Sequence, residues 1–198
     1  MIKNPLVEKL ENKTIILASG SPRRKNFLEE LGIPFRISIK SVEEVYPEHL
    51  EGAAIADYLA QLKATPFTNL AQNEILLTSD TVVWCNGRSL AKAGNKKEAI
   101  AMLEKLSGQW HSVFTSVCFT TIQKQITVHA HTEVKLKKLT PEEISFYVEQ
   151  YTPFDKAGAY GIQEWIGAIG IEEIKGSYNN VVGLPTHLVY KTLMDMVE

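Results

Sequence analysis

The segment EILLTSDTVVWC, residues 74–85, constrains the fold more than any other part of the chain, because it is apolar and β-branched over most of its length. Such a run predicts a strand. It contains one acid, Asp80, and a carboxylate inside an apolar strand costs free energy unless it is paired, hydrogen-bonded or bound to a metal. The strand could instead end at Asp80 and leave the acid in a solvated loop, but Val82 and Val83 follow it and favour a buried position. Asp80 is therefore a candidate functional residue.

The segment LASGSPRRKNFLEELG, residues 17–32, predicts a strand that turns directly into a helix. The strand covers residues 14–18. Ser21 suits the N-cap of the helix, Pro22 suits its first position, and Gly32 suits its end.

This turn combines groups that bind anions. The start of a helix exposes unpaired N–H groups and favours phosphate. Ser19 and Ser21 would add hydroxyl donors, and Arg23 and Arg24 would add paired donors that match phosphate oxygens. The alternative is an ordinary capped helix with two solvated arginines, and the two serines favour the phosphate site.

Strand and helix patterns alternate along the rest of the chain. Further strands are predicted at 34–39, 111–122, 125–136 and 165–175, and further helices at 52–64, from Asn95, from Thr140 and at 184–197. The two strands at 111–136 are joined by a tight turn and are expected to be antiparallel. These patterns predict an α/β (mixed α+β) domain around a mixed sheet, with two lobes and a cleft, over residues 1–198.

Composition excludes several classes of protein. The formal net charge of −2 argues against a general nucleic-acid-binding surface. The two cysteines, Cys85 and Cys118, lack the spacing of a metal site or a disulfide framework. The first residues are too polar for a signal peptide, and no apolar run is long enough to span a bilayer. We therefore expect a soluble, cytoplasmic protein without a membrane or nucleic-acid partner.

Other polar residues are candidates for a binding site only in combination with one another. Glu44 lies in a polar stretch and is by default solvated, but a divalent cation bound to nucleotide phosphates needs one or two carboxylates. Lys63 and Lys92 are by default surface lysines. The glycine-bearing segment DKAGAYGIQ, residues 155–163, ends in Gln163, whose amide offers a donor and an acceptor to a base edge.

Together these segments resemble the Maf family of nucleoside triphosphate pyrophosphatases. The motifs run in the family's order over nearly the whole chain: LASGSPRR (17–24), VEE (42–44), LAQLKA (59–64), SDTVV (79–83), LAK (90–92), LSGQWHSVFTSV (106–117), DKAGAYGIQ (155–163) and GSYNNVVGLP (176–185). The resemblance implies a Maf/inosine-triphosphatase-like two-lobed fold, which is often dimeric. It also implies hydrolysis of a nucleoside triphosphate to the monophosphate and pyrophosphate, with Mg²⁺ or Mn²⁺.

The resemblance also assigns roles to residues. Asp80 matches the proton acceptor, and Arg23, Thr81 and Gln163 match positions that set base specificity. Thr81 and Gln163 resemble the branch that acts on dTTP and UTP. The remaining polar positions that line the site are matched by Ser19, Arg24, Glu44, Lys63 and Lys92.

From these roles follows an expected mechanism in which Glu44 and Asp80 hold the divalent cation and water attacks the α-phosphorus. Two departures from the family stand out, since Ala91-Lys92-Ala93 replaces the usual Gly-Lys-Pro, and Glu164 follows Gln163 where glycine is common. The alternatives are a pyrophosphatase for 7-methyl-GTP or other modified nucleotides, and a non-catalytic nucleotide-binding regulator of septum formation.

Overall fold

The computed structural model of the chain describes residues 3–197. Within this range the strands form one seven-stranded sheet in the order β2-β1-β3-β5-β6-β7, and β4 pairs with the end of β3. The strands are β1 (Thr14–Leu17), β2 (Phe35–Ile37), β3 (Glu74–Cys85), β4 (Arg88–Leu90), β5 (Trp110–Thr120), β6 (Gln125–Leu136) and β7 (Ile171–Lys175).

The sheet is mixed, as the sequence predicts. β1 is parallel to β2 and β3, whereas β3, β5, β6 and β7 are antiparallel to their neighbours in turn. β3 lies between β1 and β5 and is covered on both faces, so its nearly continuous apolar run is what a central strand requires.

The helices cover both faces of this sheet. They are α1 (Pro5–Lys9), α2 (Pro22–Glu30), α3 (Ala53–Leu62), α4 (Lys96–Leu106), α5 (Pro141–Tyr151), α6 (Trp165–Gly170), α7 (Tyr178–Val182) and α8 (Thr186–Val197). Thr140 and Glu143 form a capping box at the start of α5. No helix within residues 3–197 is long and apolar enough to cross a membrane.

Successive residues of β3 point to opposite faces of the sheet. Leu77 and Val83 belong to the main core, which α4, α5 and α8 also line. Val82 packs on the other face against Ile55 and Leu59 of α3. This contact holds the end of α3, and with it Lys63, against the face of β3 that carries Asp80.

The predicted strand at 165–175 is wrong for its first half. Residues Trp165–Gly170 form α6, and β7 begins at Ile171. Gly167 explains the difference, because a Cβ at this position would lie 1.9 Å from the carbonyl oxygen of Ile162. The glycine therefore allows α6 to pack against the preceding backbone. The sequence patterns also did not predict α1, β4 or α7.

His111 on β5 is buried in the core beside a tyrosine. Its Nε2 lies 2.7 Å from Tyr160 Oη, and its Nδ1 has no hydrogen-bond partner among the described residues. Burial lowers the pKa of His111 to about 4, because the imidazolium cannot be solvated there.

We expect stability to depend on pH through His111. The unfolded chain takes up the proton near pH 6.5 and the folded chain near pH 4, so this contribution is complete above pH 6.5 and is lost as the pH falls toward 4. The loss amounts to at most about 3 kcal/mol. The free energies of unfolding of the wild type and of His111→Gln, both measured with urea, should converge as the pH is lowered. Parallel pH profiles for the two proteins would contradict a buried neutral imidazole.

Candidate active site

The site lies beside a gap in the sheet. β1 pairs with β3 up to Leu77, and β4 pairs with β3 from Val83 onward. Between these residues β3 pairs with β5 on one side, and no described strand pairs with its other side. The turn after β1 and the start of α2 lie at this gap, next to Asp80 and Thr81.

Two adjoining cavities of roughly 380 and 510 Å³ open at the gap. Both are lined by Ser21, Arg23, Arg24, Lys63 and Lys92. The smaller cavity, called here the first, is also lined by Asp80, Thr81 and Gln163, and the second by Ser19 and Glu44. The structure thus brings every residue singled out from the sequence to one continuous space, of a size typical of small-molecule sites.

Asp80 forms a buried ion pair in the wall of the first cavity. It is 7% exposed, and its Oδ1 lies 2.5 Å from Lys63 Nζ. The same ammonium lies 3.2 Å from Glu44 Oε1. Burial raises the pKa of the Asp80 carboxyl, and the Lys63 charge opposes this effect. A buried carboxyl with a raised pKa can act as a proton acceptor closer to neutral pH.

Arg24 is held by the protein rather than by solvent. Its Nη1 donates to Ser79 O at 2.9 Å, its Nε donates to Gly183 O at 2.9 Å, and its Nη2 donates to Thr81 Oγ1 at 3.2 Å. Burial lowers the pKa of this guanidinium, and Asp80 opposes the effect. The interpretation of a solvated arginine therefore does not apply to Arg24, which binds the open edge of β3.

Arg23 and the two serines face the cavities differently. Arg23 Nη2 lies 3.9 Å from Asp155 Oδ2, a distance that leaves its fork available for a ligand. Ser19 Oγ accepts the N–H of Ser21 at 3.2 Å. The Ser21 side chain makes no capping bond to α2, and Ser21 lines both cavities.

Lys92 lies on a segment that is bound to the loop 155–163. It forms a backbone bridge with Ala157, and the N–H of Gly158 donates to Leu90 O at 2.8 Å. The segment 90–92 therefore docks on the loop 155–163 without the glycine and proline that the family usually has on either side of this lysine.

A second charged cluster, which the sequence patterns did not predict, lies in the first cavity. Lys156 Nζ lies 3.0 Å from Glu164 Oε1 and 2.7 Å from Asp155 Oδ1. The other Glu164 oxygen accepts from Tyr147 Oη, which itself accepts the N–H of Gly161 at 2.9 Å. Burial and the neighbouring carboxylate raise the pKa of Tyr147. These contacts hold the loop that carries Gln163. The lysine of the motif DKAGAYGIQ is the sequence feature from which the cluster could have been predicted.

The carboxylates fit a cation that is shared with a substrate. Glu44 and Asp80 both contact Lys63 Nζ and so lie around one point. Within residues 3–197 no three His, Cys, Asp or Glu side chains form a metal cage. Two carboxylates suit Mg²⁺, which usually takes its other ligands from water and phosphate.

Comparison with known proteins gives the family. The Maf-like protein family matches residues 14–196. A protein of Flavobacterium psychrophilum named dTTP/UTP pyrophosphatase is 52% identical, over 96% of this chain and 98% of its own length. A protein of Christiangramia forsetii with the same name is also 52% identical, over 98% of this chain and 99% of its own length.

A solved HAM1 protein from Coxiella burnetii shares the fold. It aligns with 92% of this chain and 99% of its own length, at a TM-score of 0.50 and 17% identity. The expected mixed α/β fold with a mixed sheet is confirmed. On the family match and the near-full-length identities, this chain belongs to the Maf family.

Proposed function

We propose that this protein hydrolyses dTTP and UTP to the nucleoside monophosphate and pyrophosphate, acting on free nucleotides in the cytoplasm. One observation carries the proposal: the buried Asp80 carboxylate, paired with Lys63, opens onto a space that Arg23, Arg24 and Lys92 also line. A proton acceptor among several cations suits the hydrolysis of a phosphoric anhydride. The names of the two relatives support the same activity and the same substrates.

The triphosphate lies where the two cavities share their cationic side chains. Arg23, Lys92 and the Ser21 hydroxyl line both cavities, and the start of α2 faces the same place. Helix N–H groups, hydroxyls and an arginine fork all donate to phosphate oxygens. Arg24 contributes positive charge, while its N–H groups donate to protein atoms rather than to the ligand.

Asp80 accepts the proton of the attacking water. The water oxygen forms a bond with the α-phosphorus, the bond from that phosphorus to the α–β bridging oxygen breaks, and pyrophosphate leaves with the electron pair. Lys63 stabilises the carboxylate before the proton arrives, and the cations around the site stabilise the charge on the departing pyrophosphate.

The base lies in the first cavity. The wall of this cavity is apolar at Val83, Val113 and Tyr160, and it is polar at Thr81 and Gln163. The Gln163 side chain is exposed there and offers both a donor and an acceptor to the pyrimidine edge.

Glu44 and Asp80, which both contact Lys63, are the residues that would hold a divalent cation, Mg²⁺ or Mn²⁺. When bound, the cation supplies positive charge to the triphosphate. Lys63, which pairs with both carboxylates, lines both cavities and could then donate to phosphate oxygens.

A panel of triphosphates tests the activity directly. Pyrophosphate release should occur with dTTP and UTP in the presence of Mg²⁺ or Mn²⁺, and should stop when EDTA removes the metal. Release from 7-methyl-GTP alone would support a pyrophosphatase activity but contradict the proposed base specificity. Nucleotide binding without any release would contradict the enzymatic function and favour a regulator.

Asp80→Asn should lower kcat by about 10²–10⁴-fold, because the amide cannot accept the proton. Asp57→Asn is the matched control, since Asp57 on α3 binds Ser116 and His129 outside both cavities. Turnover and thermal unfolding should be measured for both variants. Near wild-type turnover of folded Asp80→Asn would exclude Asp80 as the base.

Gln163→Glu should reduce kcat/KM for dTTP and UTP by about tenfold or more, because it removes the amide donor and adds a negative charge beside the base. Gln61→Glu makes the same change on the exposed surface, where Gln61 binds Thr127 at 3.0 Å. The kcat/KM values of both variants across the panel should be compared. Unchanged base selectivity in Gln163→Glu would contradict the role of this amide.

A further inference from the structure

One carboxylate holds the loop 155–163 at two separate points. Glu164 Oε1 lies 3.0 Å from Lys156 Nζ, near the start of the loop. The other oxygen of this carboxylate accepts from Tyr147 Oη, and the same hydroxyl accepts the N–H of Gly161 at 2.9 Å, near the end of the loop. Glu164 therefore joins the two parts of the loop to each other and, through Tyr147, to α5.

The backbone between these two points has a conformation that it would not adopt by itself. Ala159 has a φ of +55°, in the left-handed region that residues with a Cβ seldom occupy, and Gly158 beside it has a φ of +69°. Such a conformation persists only where surrounding contacts determine it. Ala159 is fully buried, and a Cβ on Gly158 would lie 3.0 Å from Val83 Cγ1 of β3. Contacts with the rest of the protein, and not local preference, therefore set the shape of the loop.

The position of this loop determines where two side chains of the site lie. Ala157 forms the backbone bridge with Lys92, which lines both cavities. Gln163 ends the loop and lines the first cavity. A displaced loop would move both side chains away from the nucleotide. Tyr147, in contrast, is fully buried and lies outside both cavities, so it acts on the site only through the loop.

The surroundings of Glu164 suit a residue that holds the loop rather than one that binds the nucleotide. Both of its oxygens are engaged, and a carboxylate without a partner in this cavity would repel an anionic substrate. Lys156 compensates the charge, and its side chain is only 11% exposed. The Asp155 carboxylate contacts the same ammonium at 2.7 Å. The ion pair is thus shielded from solvent and held from both sides of the lysine.

We propose that Glu164 is a positioning residue for nucleotide binding, which keeps the loop in its binding conformation before the nucleotide arrives. Without this carboxylate the loop populates other conformations, and the apparent affinity falls in proportion to the fraction that is still able to bind. Saturating substrate draws the loop back into place, so turnover is retained. The expected signature is a raised KM with a nearly unchanged kcat. This inference rests on the proposed function.

The first test removes the charge of Glu164 and keeps its shape. In Glu164→Gln the amide oxygen can still accept from Tyr147, but the attraction to Lys156 is lost. KM for UTP should rise by about tenfold, while kcat should stay within about twofold of the wild type. A purely structural role would lower the midpoint of thermal unfolding and the active fraction, and therefore kcat, at an unchanged KM. That result would overturn the inference.

Tyr147→Phe separates an action through the loop from direct contact with the nucleotide. It breaks the link between Glu164 and Gly161 without changing the wall of either cavity. KM for UTP should rise by about threefold or more. An unchanged KM in Tyr147→Phe, together with a raised KM in Glu164→Gln, would indicate that Glu164 binds the nucleotide itself and would overturn the inference.

Glu149→Gln is the matched control. Glu149 lies on the same helix as Tyr147, pairs with Lys96 on the surface and lines neither cavity, so its replacement should leave both KM and kcat unchanged. Absence of UTP turnover in the wild type would overturn the proposed function, and the inference with it.

Hydrogen exchange examines the loop without any turnover. The N–H groups of Gly158 and Gly161 bind Leu90 O and Tyr147 Oη, so both should exchange slowly in the nucleotide-free wild type. In Glu164→Gln both should exchange at least about tenfold faster, while the amides of α4 keep their rates. Rapid exchange of the two glycine amides in the nucleotide-free wild type would overturn the inference even if every variant failed to fold.

Discussion

The hydrogen bonds of the Arg24 guanidinium are the interaction on which the rest of the site depends. β3 loses its strand neighbour after Leu77, so Ser79 O would be left without a partner at a buried edge, at a cost of about 1–3 kcal/mol. Arg24 satisfies that carbonyl and Gly183 O together. One side chain thereby joins α2, β3 and the turn after α7, which are three walls of the same space. Lysine could not make the same set of bonds, because its three donors share one nitrogen, whereas the Arg24 bonds leave from three separate nitrogens of a planar fork.

The gap in the sheet also explains why charged groups are buried there. A closed sheet would have covered Asp80 with apolar neighbours, whereas here the carboxylate meets Lys63 at 2.5 Å and lies close to Glu44 through the same ammonium. Such a cluster is a poor means of stabilising a fold, since desolvation offsets most of the attraction. Its value lies in holding a proton acceptor and several cations ready before the substrate arrives, so that little reorganisation is needed during the reaction.

Local patterns in the sequence predicted the parts that local physics controls. The bounds of β3, the cap of α5 at Thr140 and the turn before α2 follow from periodicity and capping. α6 could not be predicted, because Gly167 serves a contact with Ile162 that only the folded chain reveals. The two lobes, the dimer and the roles of the site residues stay predictions.

Long-range contacts decide what each polar side chain can do, and the sequence does not contain this information locally. Thr81 is a donor and an acceptor by residue type, and Arg24, Thr115 and Asn180 lie far from it or from one another along the chain. Only their arrangement, with a guanidinium at one end and a carbonyl at the other, removes the freedom of two hydroxyls at once. Thr81 thus accepts from Arg24 and donates to Thr115, and the buried Thr115 donates to the Asn180 carbonyl, a division of roles that residue type alone does not determine.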